Sequence, residues 1–253
     1  MEITFLGTGT SQGVPVIGCN CEVCISENTK DKRLRTSILI EHENTHVVID
    51  TGPDFRQQML REKVNHLDAI VFTHEHKDHM AGLDDVRAYN YITKKAMDIY
   101  GSKSVHAAIK RDFHYVFQSE KYPGVPELNL HEIESSPFLI NKMTFTPIEV
   151  WHHMMKVNAF RINNFTYITD ANRIEKNELE KIRGSKVIVI NALRKEAHIS
   201  HFTMQQAVEI LKELKPEQGF LTHLSHQIGK HDSITSELPN FISIAYDGLK
   251  ITF

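Results

Sequence analysis

The sequence predicts an α/β fold in which buried strands alternate with amphipathic helices. Two features predict it. The runs Ala69-Ile70-Val71-Phe72 and Val187-Ile188-Val189-Ile190 are short, apolar and uninterrupted by charge, as strands covered on both faces are. Segments with helical spacing of apolar residues, such as 175–182 and 203–214, alternate with such runs. A third feature bears on organisation: no Pro/Gly/Ser linker, low-complexity tract or repeat interrupts the chain, so a single domain over 1–253 is expected.

In chain order, residues 3–6 read as a strand that breaks at the loop Gly7-Thr8-Gly9-Thr10-Ser11. Residues 37–41 and 46–50 follow as strands, with Glu43-Asn44 at a hairpin turn. Asp54 caps a helix running to Glu62, whose inner face takes Phe55, Met59 and Leu60. The strand 69–72 runs into Thr73-His74-Glu75-His76-Lys77-Asp78-His79, and a helix begins near Met80. Residues 110–117 are expected to be helical. Residues 143–150 form a strand ending at Trp151-His152-His153, and 166–169 one ending at Asp170. The helix 203–214 is capped within 201–203, and the strand 219–222 ends at His223. Residues 242–253 are expected to close the chain as a hairpin around Asp247-Gly248.

Composition narrows the function classes. With 41% hydrophobic and 24% charged residues, the chain has the make-up of an ordinary globular protein. A formal net charge of −3 gives no reason to expect nucleic acid as a partner, and it leaves a homodimer open. No apolar run approaches the roughly 18 residues that span a bilayer, and no signal-type segment follows Met1, so a cytoplasmic location with no membrane partner is expected. The three cysteines, Cys19, Cys21 and Cys24, are odd in number and crowded together, unlike a disulfide framework.

The 16 histidines are informative by position. In an extended segment residues two apart point the same way, so His74 and His76 can converge on one ion, with Asp78 and His79 following as the chain turns into a helix. Imidazole with carboxylate suits zinc, manganese or iron. Four ligand-type residues in six positions cannot complete two coordination spheres, but His152, Asp170 and His223 each follow an apolar strand and are candidates for the remainder. Of the adjacent pair His152 and His153, strand alternation places His152 on the face of Ile148 and Val150. Cys19-x-Cys21-x-x-Cys24 separately suggests a structural zinc site needing one further ligand.

The order H-x-H-x-D-H, then a distant His, Asp and His, resembles the metallo-β-lactamase superfamily over essentially the whole chain. The resemblance implies a four-layer αββα metallo-β-lactamase sandwich and a hydrolase holding two divalent ions, zinc or manganese. It gives His74, His76 and His152 to one ion and Asp78, His79 and His223 to the other, with Asp170 bridging. Asp50, in the segment Ile49-Asp50-Thr51-Gly52, is implied as a supporting residue. The cysteine cluster together with Leu221-Thr222-His223-Leu224-Ser225-His226 is similar to the PhnP-like branch, the phosphoribosyl 1,2-cyclic phosphate phosphodiesterases. That similarity implies a structural zinc on Cys19, Cys21, Cys24 and His226, and His201 as a catalytic proton donor. A plain helix cap at His201, with His198 in its place, is the alternative.

The expected activity is therefore that of a metal-dependent phosphoric diester hydrolase acting on a small-molecule phosphodiester. Arg194 or Arg161 is a candidate to hold the substrate phosphate, and His153 lies near the expected pocket. A tRNA 3′-processing nuclease would want a long basic arm, which the sequence lacks. A thioesterase on the same scaffold would not be expected to carry the cysteine cluster. A non-catalytic metal-binding module would be expected to have lost ligands.

Overall fold

In the computed structural model, which describes residues 1–120 and 122–253, the apolar runs become two sheets packed face to face. The seven-stranded first sheet contains β1 (Glu2–Gly7), β2 (Ser37–His42), β3 (Thr45–Ile49), β4 (Ala69–Val71), β5 (Met97–Gly101) and β6 (Leu128–Glu132). The eight-stranded second sheet contains β7 (Phe138–Ile140), β8 (Met143–His152), β9 (Met155–Ile162), β10 (Phe165–Ile168), β11 (Arg173–Ile174), β12 (Val187–Asn191), β13 (Gln218–Thr222) and β14 (Ile242–Ile244). The last strand, β15 (Lys250–Thr252), returns to the first sheet beside β1.

Helices cover both outer faces. On the first sheet lie α1 (Phe55–Glu62), α2 (Lys77–Met80), α3 (Arg87–Thr93) and α4 (Lys103–Asp112); on the second, α5 (Lys176–Ile182), α6 (Met204–Leu214) and α7 (His231–Thr235). Three cores result. One lies between the sheets around Phe5, Phe145, Phe160, Phe165 and Tyr167, and one lies under each helical layer. Fully burying each such side chain contributes about 1.5–3 kcal/mol. The arrangement is the four-layer αββα sandwich that the resemblance implies. Among the described residues no helix is long and apolar enough to cross a membrane.

The run β3–β4–β5–β6 is parallel, as is β10–β12–β13–β14. Parallel sheets gather chemistry at the carboxyl ends of their strands. Asp50 follows β3, the H-x-H-x-D-H segment follows β4, Asp170 follows β10 across Thr169, and His223 follows β13. Asp50 (φ 66°), Asp170 (φ 54°) and His223 (φ 56°) all adopt left-handed backbone. Such non-glycine outliers cluster where a functional site fixes a side chain's direction. Gly52 is required by a close approach, since a Cβ there would sit 2.2 Å from the carbonyl oxygen of Asp78.

Several local expectations change. Residues 242–253 are not a hairpin: β14 pairs in parallel with β13, and β15 pairs with β1 in the other sheet. Alternation signals a strand but does not name its partner. The helix expected at 110–117 ends at Asp112 and gives way to a single 3-10 turn, His114–Phe117. In α1 Phe55 and Met59 are buried as expected, but the third buried residue is Gln58, which donates to the Arg35 carbonyl at 2.9 Å, whereas Leu60 is exposed. Asp54 precedes α1 but makes no side-chain cap; its carboxylate accepts from the Arg35 backbone N–H at 2.8 Å and pairs with the Arg35 guanidinium at 3.3 Å. Thr203 caps α6 and forms a reciprocal capping box with Gln206, so capping is not the work of His201.

Candidate metal centre

At the joint rim of the two sheets, His74, His76 and His152 bring one ring nitrogen each within 4.8 Å of one another. The imidazoles of His74 and His76 stand 4.6 Å apart, and those of His76 and His152 5.2 Å apart. His152 engages the Ser200 carbonyl at 2.9 Å through Nδ1, which leaves Nε2 free to ligate. His153 is exposed, in the left-handed turn after β8, and stands outside this cluster.

A second cluster adjoins the first. The His79 Nε2 atom lies 3.2 Å from Asp78 and 3.3 Å from Asp170 Oδ1, and His223 Nδ1 lies 3.1 Å from the same Asp170 oxygen. The other Asp170 oxygen faces His74 Nε2 at 3.9 Å. Asp170 therefore stands between the two sets. His74 Nε2, His79 Nε2, His201 Nδ1 and His223 Nδ1 are buried and find no hydrogen-bond partner among the described residues. Buried orphan nitrogens converging on carboxylates are costly unless a cation joins them, so the donor set fits a pair of metal ions.

Asp50 supports this rim from beneath. It is fully buried and accepts from His79 Nδ1 at 2.7 Å, the Thr73 backbone N–H at 2.9 Å and the Thr73 hydroxyl at 2.8 Å. Burial raises its pKa, and the neighbouring His79 opposes that rise. His201 stacks on His223 at 4.9 Å and meets His152 at a tilt, 4.7 Å away. Burial, then the charge of His223, pushes His201 down to about 3, so the resting imidazole is neutral. His198 lies beside it at 5.1 Å.

The proposed phosphate clamps are occupied elsewhere. Arg194 donates to the carbonyls of Glu196 and Ala197 and to Gln227, and so shapes the loop that carries His198 and His201. Arg161 donates to the carbonyls of Asn163, Lys181 and Arg183. The mouth above the metal ligands is an open cavity of about 590 Å³ lined by His76, His152, His153, Met154, Met155, Ile199 and Ser200. Met154 and Ile199, both largely exposed, give it an apolar lip.

The cysteine cluster is closed. Cys19, Cys21 and Cys24 Sγ lie 3.3, 3.3 and 3.5 Å from His226 Nδ1. Tetrahedral zinc with ordinary Zn–S and Zn–N bonds requires sulfur-to-nitrogen separations of about 3.6 Å, so the four donors fit one ion. A backbone hydrogen bond from Cys24 lowers Cys21 to about 6, toward the thiolate that a metal needs. The backbones of Thr8 and Thr10 pair with Leu224, which ties this loop to the segment bearing both His223 and His226.

Comparison with known proteins agrees with this geometry. A family profile described as "Beta-lactamase superfamily domain" matches residues 45–224. The crystal structure of a diphosphatase from the PhnP family superposes with a TM-score of 0.93 at 36% identity, covering 100% of this chain and 97% of that one. Zn²⁺-bound PqqB from Methylobacterium extorquens shares the fold, with a TM-score of 0.79 at 16% identity and full coverage of both chains. A Porphyromonas gingivalis (strain ATCC BAA-308 / W83) protein named octanoyltransferase is 38% identical over 99% of this chain, and the chain spans about half the length (51%) of that curated relative. The chain belongs to the metallo-β-lactamase superfamily and, within it, to the PhnP-like group.

Proposed function

We propose that the chain is a binuclear metal-dependent phosphodiesterase that hydrolyses a small phosphodiester such as a phosphoribosyl 1,2-cyclic phosphate. The observation that carries this reading is the position of Asp170, one oxygen toward His79 and His223 and the other toward His74. When bound, a pair of zinc or manganese ions supplies an activated water and offsets charge on the phosphoryl oxygens. The protein's part is to hold that pair and position the substrate. His74, His76 and His152 form one ligand set, Asp78, His79 and His223 the other, and Asp170 sets their separation. Asp50 and the Ser200 carbonyl orient His79 and His152.

His201 is placed to assist the leaving oxygen. Burial holds its imidazole neutral at rest, and a phosphate anion beside it would raise its proton affinity. A second reading, cleavage of a P–O–P linkage, is favoured by the 36% identical diphosphatase. Phosphate is a better leaving group than an alkoxide, so that reaction would depend less on His201.

Turnover assays of the metal-loaded protein separate these readings. The substrates are bis(p-nitrophenyl) phosphate, a ribose 1,2-cyclic phosphate, a dinucleoside diphosphate and an octanoyl thioester. Hydrolysis of the diesters is expected. Hydrolysis of the dinucleoside diphosphate alone selects the second reading. Turnover confined to the thioester sinks both and moves the function toward acyl chemistry, as the octanoyltransferase name would suggest. No phosphorus substrate turned over would also end the proposal.

A further inference from the structure

A third group of metal-type ligands lies at the opposite end of the first sheet. His46 on β3 faces Glu41 on β2 in register, and Asp68 immediately precedes β4. Asp68 is held in place from two sides. Its backbone N–H donates to the His46 carbonyl at 2.9 Å, and its carboxylate accepts from the His46 backbone N–H at 2.8 Å. His66, two residues earlier, brings Nε2 to 3.1 Å from the Asp68 Oδ1 atom. The two imidazoles stand edge to face, 5.5 Å apart.

His46 Nε2 lies 3.0 Å from the Glu41 carboxylate. A carboxylate can only accept, so the proton sits on Nε2 and the Nδ1 lone pair turns inward, as in carboxylate–histidine–metal arrangements. That Nδ1 atom is buried and has no hydrogen-bond partner among the described residues. The Asp68 carboxylate is 4.0 Å from it, too far for a hydrogen bond even if Nδ1 were protonated. Two ligands of one tetrahedral zinc stand about 3.4 Å apart, so an inward shift of about 0.6 Å would place both on a common ion. One ligand atom each from His46, His66 and Asp68 already falls within 4.8 Å of the others. A cavity of about 110 Å³ beside the cluster is lined by Glu41, His46, Glu62, Lys63, His66 and Lys250, and Asp68 stands outside it.

We propose that His46, His66 and Asp68 form an additional divalent-metal site, with Glu41 fixing the tautomer of His46, that takes an imidazole-preferring transition ion such as zinc. Two imidazoles and one carboxylate are a donor set suited to zinc, copper or nickel rather than to calcium or magnesium. The site is separate from the catalytic rim. Asp68 lies just before β4 and His74 beyond its far end, six residue steps along the chain and at most about 20 Å at strand rise. An ion there would fasten the β2–β3 hairpin to the segment entering β4, the strand that presents the H-x-H-x-D-H motif.

The test is a zinc titration of the full chain by equilibrium dialysis and metal analysis, comparing wild type with His66→Ala. The His66 side chain is half exposed, so its removal leaves the fold intact. Asp68→Asn serves as a second variant that retains both imidazoles. Wild type is expected to bind one zinc equivalent more than either variant at micromolar zinc, and only wild type should show a rise in unfolding midpoint as that equivalent binds. An anomalous-difference peak between His46 and His66 should accompany it. Equal stoichiometry in wild type and His66→Ala overturns the proposal. Uptake seen only at millimolar zinc, which marks an adventitious surface ion, does so too.

Discussion

Replacing Asp50 by Asn keeps the shape of a fully buried side chain and removes one acceptor. The native carboxylate meets three groups: His79 Nδ1 at 2.7 Å, the Thr73 N–H at 2.9 Å and the Thr73 hydroxyl at 2.8 Å. An amide offers one oxygen and one NH₂. If the oxygen takes His79, the Thr73 backbone N–H faces an NH₂ group and is left unsatisfied, at a cost of about 1–3 kcal/mol. If the amide is turned the other way, His79 Nδ1 must accept, which moves the ring proton to Nε2, the atom aimed at Asp78 and Asp170. A proton there blocks ligation. Both outcomes weaken the ion at Asp78, His79 and His223, by about 10–100-fold as supporting residues of metal sites do. Chelator competition followed by metal analysis reads the change, with the cysteine-bound ion as an internal control that should not move. An Asp50→Asn protein that holds its active-site metal as tightly as wild type would mean that Asp50 does not govern ligation by His79.

Further outcomes follow from the same geometry. His152→Ala should lose one catalytic metal equivalent and with it phosphodiesterase activity, whereas His153→Ala should retain full metal content; the reverse pattern would reassign the ligand. His201→Ala should keep its metals and lower kcat on an alkoxide-releasing diester by about 10²–10⁴-fold, with much less effect on the p-nitrophenyl diester, whose leaving group needs little proton. Equal losses on both substrates would point to a positional rather than a proton-donating role. Cys21→Ser should release one metal equivalent and lower the unfolding midpoint by about 2–4 °C for each kcal/mol lost. An unchanged midpoint by calorimetry would mean that the cysteine loop adds nothing to stability.

The chemistry of the site was more legible in the sequence than its surroundings. His74, Asp170 and His223 closely follow strands, where a single apolar run both marks the strand and fixes where the side chain emerges, and His76, Asp78 and His79 come next at the cap and first turn of α2. His226 was legible because the motif that carries His223 carries it as well. Arg194 was not, since its three hydrogen bonds depend on how the 194–200 loop folds back on Gln227, a tertiary fact without local signature. The separation of β14 from β15 escaped for the same reason. Strand β9 (Met155–Ile162) is legible in its alternation, with Val157 and Ala159 buried and Lys156 and Asn158 not. Gln58 illustrates the opposite case. A polar residue is buried because a nearby carbonyl needs a donor, which no hydrophobic periodicity reveals.

Anomalous diffraction from crystals of the metal-loaded protein, collected at the zinc and manganese edges, is expected to show two ions about 3.5–4 Å apart on either side of Asp170, with a separate ion among Cys19, Cys21, Cys24 and His226. A single ion at the rim, or two that do not share Asp170, would contradict that arrangement.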